Sequence, residues 1–253
     1  MRQAVRLRAA VTLLGRFPAL AGVDLDIDPG EVVVVKGQNG AGKTTLLRLC
    51  AGLCSLASGS GEILGHDLST QRRQVRQRVA LMGHTTGLYD DLTVAENVAF
   101  WGGAVGATSQ EMHSALETLE LSGRLVNLRA GNLSSGQRRR ASFATLLVRR
   151  PELWLLDEPH AGLDHRSRNI VNNLVQSAAQ AGATVMMASH ELECMQTLQP
   201  RVVSLAGGML TTQPAGIQPA GIQPAGIQPV TTQPVTVQPI PTHPTKEAGT
   251  HVA

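Results

Sequence analysis

Eight residues, Gly37 to Thr44 (GQNGAGKT), carry the first recognisable chemistry of this chain. They follow the apolar run EVVVV (Glu31 to Val35) and open a stretch of helix-forming residues, TTLLRLCAGL. A glycine-rich turn between a buried strand and a helix N-terminus lets successive backbone N–H groups and the helix dipole cradle phosphate oxygens. Gly37, Gly40 and Gly42 allow the main chain to approach the anion closely. The nucleotide-contacting set read from this loop is Gly37, Gln38, Asn39, Gly40, Ala41, Gly42, Lys43, Thr44 and Thr45. Within it Lys43 is expected to bridge the β- and γ-phosphates and Thr44 to ligate Mg²⁺.

Two other apolar runs end in groups that can work on a bound phosphate. LWLLD (Leu153 to Asp157) is followed by Glu158, and TVMMAS (Thr184 to Ser189) runs directly into His190. Asp157 can hold the same Mg²⁺ through water, and Glu158 can polarise the water that attacks the γ-phosphate. His190 can donate to that phosphate and orient the water. The plainer readings are a capped strand end for Asp157 and Glu158 and a structural role for a lone His. In an open α/β sheet, however, ligands sit at the carboxyl ends of the strands, and three such strands delivering Gly37, Asp157 and His190 point to one shared site. About twenty residues before LWLLDE stands LSSGQ (Leu133 to Gln137), whose Ser hydroxyl and Gly N–H at a helix start make an anion donor.

The elements that must position these groups occupy most of the chain. With 253 residues, 42% of them apolar, the sequence can bury a sizeable core. A net charge of +3 with only 2% aromatic residues gives no interleaving of rings and cations, so nucleic acid is set aside as a substrate. The arginine runs at Arg72, Arg73, Arg76 and Arg78 and at Arg138 to Arg140 read as solvated helix faces. Cys50, Cys54 and Cys194 lack CxxC spacing and fit small core residues of a reduced compartment, with Cys50 and Cys54 four apart on the helix after the loop. No stretch approaches the ~18–20 apolar residues of a membrane span. Between the strands, residues 93 to about 121 show helical periodicity and a capping box at Thr108 and Glu111, which predicts an inserted helical subdomain. From Thr211 the composition changes to QPAGI repeats containing eight of the 13 prolines, so 211–253 is expected to be a disordered tail after a domain over 1–210.

GQNGAGKT, LSSGQ, LWLLDE, AGLD (Ala161 to Asp164) and His190, in this order, resemble the motif set of an ABC transporter nucleotide-binding domain over about residues 4 to 210. The resemblance implies an α/β P-loop NTPase fold with a RecA-like core, an antiparallel β subdomain and a helical subdomain, binding ATP and Mg²⁺. It implies a homodimer with two composite sites, in which the signature residues Ser134, Ser135, Gly136 and Gln137 act in trans. Ser134 and Gly136 would contact the γ-phosphate held by the opposite copy, and Asp164 would lie at the dimer contact. Transmembrane permease subunits follow as partners, with the chain peripheral on the cytoplasmic face of the cell membrane. Two positions depart from the usual pattern. His84 stands where such transport ATPases carry a Gln that relays metal and water contacts, and it is assigned that catalytic coupling role. Phe17 is the aromatic ring available to stack on adenine, with a core or turn role as the alternative. The segment LMGHTTGLYDDLTVAENVAFW around His84 resembles the ATPase subunits of bacterial haem exporters in cytochrome c maturation. A multidrug or other ABC-2 type exporter would share the same catalytic residues. A soluble ABC mechanoenzyme would carry paired ATPase domains or a long coiled coil, and a non-hydrolysing module would not need Glu158 and His190.

Overall fold

The three apolar runs have no polar alternation because each is buried on both sides. The computed structural model describes residues 3–212. In chain order it forms β1 (Val5–Leu14), β2 (Phe17–Ile27), β3 (Val32–Lys36), α1 (Lys43–Cys50), β4 (Ser58–Ile63), β5 (His66–Asp67), α2 (Arg72–Arg78) and β6 (Val79–Met82). There follow α3 (Val94–Val105), α4 (Ser109–Thr118), α5 (Ser135–Arg149), β7 (Leu153–Asp157), α6 (His165–Gln180), β8 (Thr184–Ala188), β9 (Arg201–Ala206) and β10 (Met209–Thr212). A six-stranded sheet runs β10-β9-β3-β8-β7-β6, parallel except for β10, and a four-stranded antiparallel sheet runs β2-β1-β4-β5.

Successive side chains of a strand point to opposite faces. Val33 and Val35 of β3, Leu153 and Leu155 of β7 and Met186 and Ala188 of β8 therefore enter one core, shared with α1 and the antiparallel sheet. Val34, Trp154, Leu156, Val185 and Met187 enter the other, shared with α5, α6 and the helical subdomain. Continuous apolar strands are what a parallel sheet covered on both faces requires. The architecture is that of the P-loop NTPase fold expected from the motifs, with its antiparallel β subdomain and helical subdomain.

The helical stretch after residue 93 consists of two helices parted at Gly106, whose φ of 69° ends α3 in the left-handed conformation. Each helix starts in a capping box. Thr108 Oγ1 accepts from the Glu111 N–H (3.2 Å) while the Glu111 carboxylate accepts from the Thr108 N–H (2.7 Å), and Thr93 and Glu96 repeat the arrangement. Helix α1 ends at Cys50, so Cys54 lies beyond it rather than on it. Burial pushes the Cys50 thiol up to about 12, which leaves it an inert core residue. The side chain of Cys194 lies outside what the structure describes. Strand β10 continues to Thr212, two residues past the boundary expected from composition, because Thr211 and Thr212 pair with Ser204 and Val203 of β9. The expected disordered tail otherwise lies outside the described residues.

The arginines at 138–140 do not form a solvated face. Consecutive helix residues project about 100° apart, so three neighbours reach three different elements. Arg138 pairs with Asp90 and the Ala130 carbonyl (2.8 Å), Arg140 donates to the Leu119 and Glu120 carbonyls (3.0 and 3.3 Å), and Arg139 is only 5% exposed. In the other run, Arg76 donates to the Gly52 carbonyl (3.0 Å), and Arg78 to the Leu64 carbonyl (2.9 Å) and to Glu152. At the centre of the second core Phe143 of α5 is fully buried. Phe143→Ala should destabilise the fold by about 3–5 kcal/mol through cavity formation. Equilibrium urea unfolding checks this as a lowered midpoint at an unchanged m-value.

Candidate functional site

The chain leaving β3 is pressed from two sides, which fixes where glycine must stand. A Cβ on Gly37 would lie 2.3 Å from the Leu205 carbonyl oxygen of β9, and one on Gly42 would lie 2.5 Å from that of Ala19 in β2. Gly42 also adopts φ 105° as the residue that caps α1. Held this way, the loop folds back on its own cation. Lys43, 8% exposed, donates through Nζ to the carbonyls of Gly37 (2.7 Å) and Gln38 (3.2 Å), leaving one of its three N–H donors. A cleft of about 350 Å³ opens above the loop, lined by Gln38, Asn39, Gly40, Gly42, Lys43, Thr44 and Thr45. His84, Asp157 and Glu158 close its far side. Gly37 and Ala41 line an adjoining cavity together with His190.

Parallel register brings the remaining groups to the loop. Val35, Ala188 and Asp157 stand level across β3, β8 and β7. Thr44 Oγ1 at the start of α1 donates to Asp157 Oδ2 at 2.7 Å, which joins the two oxygens assigned to the metal. One residue on, Glu158 takes φ 47°, an uncommon conformation for a non-glycine residue, while its N–H donates to the Ala188 carbonyl (2.8 Å). This bend turns the Glu158 carboxylate off the end of β7 toward the end of β8. There Oε1 meets His190 Nδ1 at 3.0 Å and Oε2 accepts from Ser189 Oγ at 3.2 Å. The carboxylate raises the exposed His190 imidazole above its ordinary value of 6.5, first through this hydrogen bond and then through its charge. Ser189 was not singled out from sequence. Its only signal was its place as the last residue before His190.

The other expected residues fall into four groups. His84 follows β6 and is shared by the loop cleft and a second cavity lined by Thr85, Thr86, Ser135, Arg138, Arg139 and Gly162. Phe17 is 79% exposed at the start of β2 and does not line the cleft; Leu14 and Ala19 of the same hairpin do. The signature residues stand at the N-terminus of α5 and do not line the loop cleft. Ser134 Oγ accepts from the Gln137 N–H (3.3 Å) and the Gln137 side-chain oxygen accepts from the Ser134 N–H (3.0 Å), so both are engaged in capping their own helix. The Ser134 hydroxyl keeps its proton for another acceptor. Gly136 packs against the Gly162 carbonyl, which a Cβ would meet at 3.4 Å. Asp164 is exposed and caps α6, accepting from the Ser167 N–H (2.8 Å), and this bond lowers its carboxyl below the usual range. Arg139 was missed by sequence reasoning. It donates to carbonyls of both Gly83, beside His84, and Asp157, beside Glu158 (3.0 and 2.7 Å).

Comparison with known proteins agrees with this geometry. The ABC transporter family model matches residues 20–161. The "ABC transporter ATP-binding protein NatA" of Bacillus subtilis is 37% identical over 196 residues, covering 75% of this chain and 79% of that protein. The "Cytochrome c biogenesis ATP-binding export protein CcmA" of Bradyrhizobium diazoefficiens is 37% identical over 183 residues, covering 72% and 90%. Among solved structures, an ATP-binding subunit of an ABC transporter superposes with a TM-score of 0.75 at 24% identity, covering 83% of this chain and 90% of its own. The phosphate loop, the strand-end carboxylates and the signature helix thus stand in a chain that belongs to the ABC transporter family, as one of its ATP-binding domains.

Proposed function

We propose that this chain is the ATP-hydrolysing subunit of a membrane complex that exports or delivers haem for c-type cytochrome biogenesis. The observation that carries the cargo reading is His84 lining the cleft at the end of β6, within a segment resembling haem-exporter ATPases. Relatives named as cytochrome c biogenesis export proteins, at 35–38% identity, support it. The equal identity of NatA favours, as a second reading, the same ATPase serving another exporter and another cargo.

ATP is the substrate and Mg²⁺ the metal this site would take. Thr44 Oγ1 and Asp157 Oδ2 are two hard oxygen donors in contact, and among the described residues no group of three or more His, Cys, Asp or Glu is arranged to hold a metal ion by itself. That donor set fits Mg²⁺, which is commonly held by one or two protein oxygens together with substrate phosphates and water. When bound, the ion neutralises charge building up on the phosphates. Lys43 and the loop N–H groups hold the phosphates, and Glu158 draws the proton from the attacking water as its oxygen bonds to the γ-phosphorus and the bond to ADP breaks. His190 holds the Glu158 carboxylate in place and donates toward the transferred phosphoryl group.

Two copies are needed to complete each site. Ser134 and Gly136 sit on a helix N-terminus outside the lining of their own loop cleft, so their anion comes from a second copy, with Asp164 at the contact. Among the described residues no helix is long and apolar enough to cross a membrane; as in the ABC transporter family, the work would be passed to permease subunits. Tyr89 and Phe100, both about half exposed, meet edge to face at 5.0 Å beside Trp101. The chain then works peripherally, on the cytoplasmic face of the cell membrane.

Lys43→Ala abolishes ATP hydrolysis, and Glu158→Gln lowers turnover by about 10²–10⁴-fold while trapping an ATP-bound dimer, read by steady-state assay and gel filtration. Parental turnover in Glu158→Gln would remove Glu158 as the base. Since the His190 pKa is raised, its pairing contributes stability that is full below 6.5 and is lost as pH rises through the raised value. An NMR titration should place the His190 midpoint above 6.5 in the parent and closer to 6.5 in Glu158→Gln. For His84, replacement by Gln retains coupled transport and replacement by Ala loses it in reconstituted vesicles; unchanged transport in the Ala variant refutes the coupling role. For the cargo, deletion of the gene should abolish c-type cytochrome assembly, and co-purified drug-export subunits without that defect would decide for the second reading.

A further inference from the structure

Arg139 is a buried cation whose hydrogen bonds, among the described residues, run to main-chain oxygens rather than to a carboxylate. Its guanidinium, on a residue 5% exposed, spends four of its five N–H donors on main-chain oxygens. Nε donates to the Pro159 carbonyl (3.3 Å), Nη1 to that of Gly83 (3.0 Å), and Nη2 to those of Asp157 (2.7 Å) and Glu158. Burial lowers its pKa from the ordinary arginine value, opposed by the charges of Asp157 and Glu158. A buried ion is a poor way to gain stability, because losing its hydration costs more than an apolar side chain of the same size would. What this one does that an apolar residue cannot is grip three consecutive peptides, 157 to 159, by their oxygens.

Those peptides bracket the residue that leaves the strand in the left-handed conformation, Glu158 at φ 47°. The bend aims its carboxylate at His190 Nδ1. The same guanidinium also reaches Gly83, whose carbonyl precedes the peptide of His84, while its own backbone lies in the signature helix α5. One side chain therefore ties together the ends of β6 and β7 and the helix that begins with the signature.

We propose that Arg139 is a positioning residue for hydrolysis: it holds the bent Glu158 peptide in its aiming conformation and fixes that peptide to the signature helix and to the His84 segment. This rests on the reading of Glu158 as the base and adds the group that places it. Arg139 does not line the loop cleft and acts through Glu158 and His84. Lysine cannot replace it, since one ammonium cannot reach four oxygens in the plane that the guanidinium fork spans.

The test uses the full-length chain with ATP and Mg²⁺ and compares Arg139→Lys, Arg139→Ala, Glu158→Gln and the doubles. Arg139→Ala is expected to lower kcat about 100-fold, the scale of a misplaced catalytic group, with KM for ATP little changed. Arg139→Lys, which keeps the charge and the fold, should recover part of that loss. Amide exchange should quicken in the peptides covering 82–86 and 157–161 and stay unchanged in 37–45. Adding Arg139→Ala to Glu158→Gln should lower turnover no further. Parental kcat in both Arg139 variants, beside an inactive Glu158→Gln, overturns the proposal and leaves Glu158 as the base. A full second loss in the double variant overturns it too, since Arg139 would then act independently of Glu158. Parental turnover in Glu158→Gln removes the base reading and the proposal with it. Should Arg139→Ala fail to fold, Arg139→Lys with unchanged kcat and unchanged exchange is the overturning result.

Discussion

The register of three parallel strands governs this molecule. Because Val35, Ala188 and Asp157 lie level, the chain emerges from β3, β8 and β7 at one height, and the phosphate loop, Ser189–His190 and Glu158 come within hydrogen-bonding reach. A slip of one residue would exchange the two faces of a strand. For β7 it would send Leu153 and Leu155 into the core built for Trp154 and Leu156, and would move Asp157 away from Thr44. The two cores hold the register, since the side chains on opposite faces of each strand meet different partners. Packing far below the site therefore sets distances within it.

The strands and the loop were legible because their signals are local. EVVVV, LWLLD and TVMMAS are too short and too uniformly apolar to be anything but strands buried on both faces, and GQNGAGKT needs only its neighbours to be read. That the strand ends deliver Gly37, Asp157 and His190 to one site followed from the rule for open α/β sheets, whereas the pairing of Glu158 with His190 emerged only from the structure. Arg139 was not legible, because in sequence it is the middle of three equal arginines, and helical projection separates them only once the surrounding carbonyls are in place. Phe17 shows the opposite case, in which residue type was visible and position was not. The turn at Gly15 sets which hairpin side chains face the cleft, and it faces Leu14 and Ala19 there. The reach of β10 to Thr212 escaped notice for a similar reason: pairing with β9 extends a strand through residues whose composition resembles the segment that follows.

Backbone geometry accounts for where strain is tolerated. Glycine answers the close approaches at positions 37 and 42, where carbonyl oxygens of neighbouring strands leave no space for a side chain. At position 158 glycine would relieve the left-handed conformation, but it would also remove the carboxylate. The chain keeps glutamate there and surrounds its peptide with partners: the Ala188 carbonyl accepts its N–H, and its own carbonyl accepts from the Ala161 N–H at 3.1 Å and from Arg139. Strain of this kind persists only where the surroundings over-determine it.

His84 belongs to the same junction. It lines the loop cleft with Lys43 and Glu158 on one side, and the cavity with Ser135, Arg138 and Gly162 on the other. The residue before it is anchored by Arg139, and Thr86, two residues after it, accepts from Ser142 Oγ of α5 at 2.7 Å. A displacement of α5 relative to the sheet must therefore either break these bonds or carry the 83–86 segment along. In the second case the ring at position 84 moves within the nucleotide cleft. An imidazole can meet such a move as donor or acceptor, since its two nitrogens present different roles at the same ring. Any motion of α5 that keeps these bonds therefore reaches position 84 through main-chain anchors on either side of it, which is the physical basis of the coupling role proposed for its side chain.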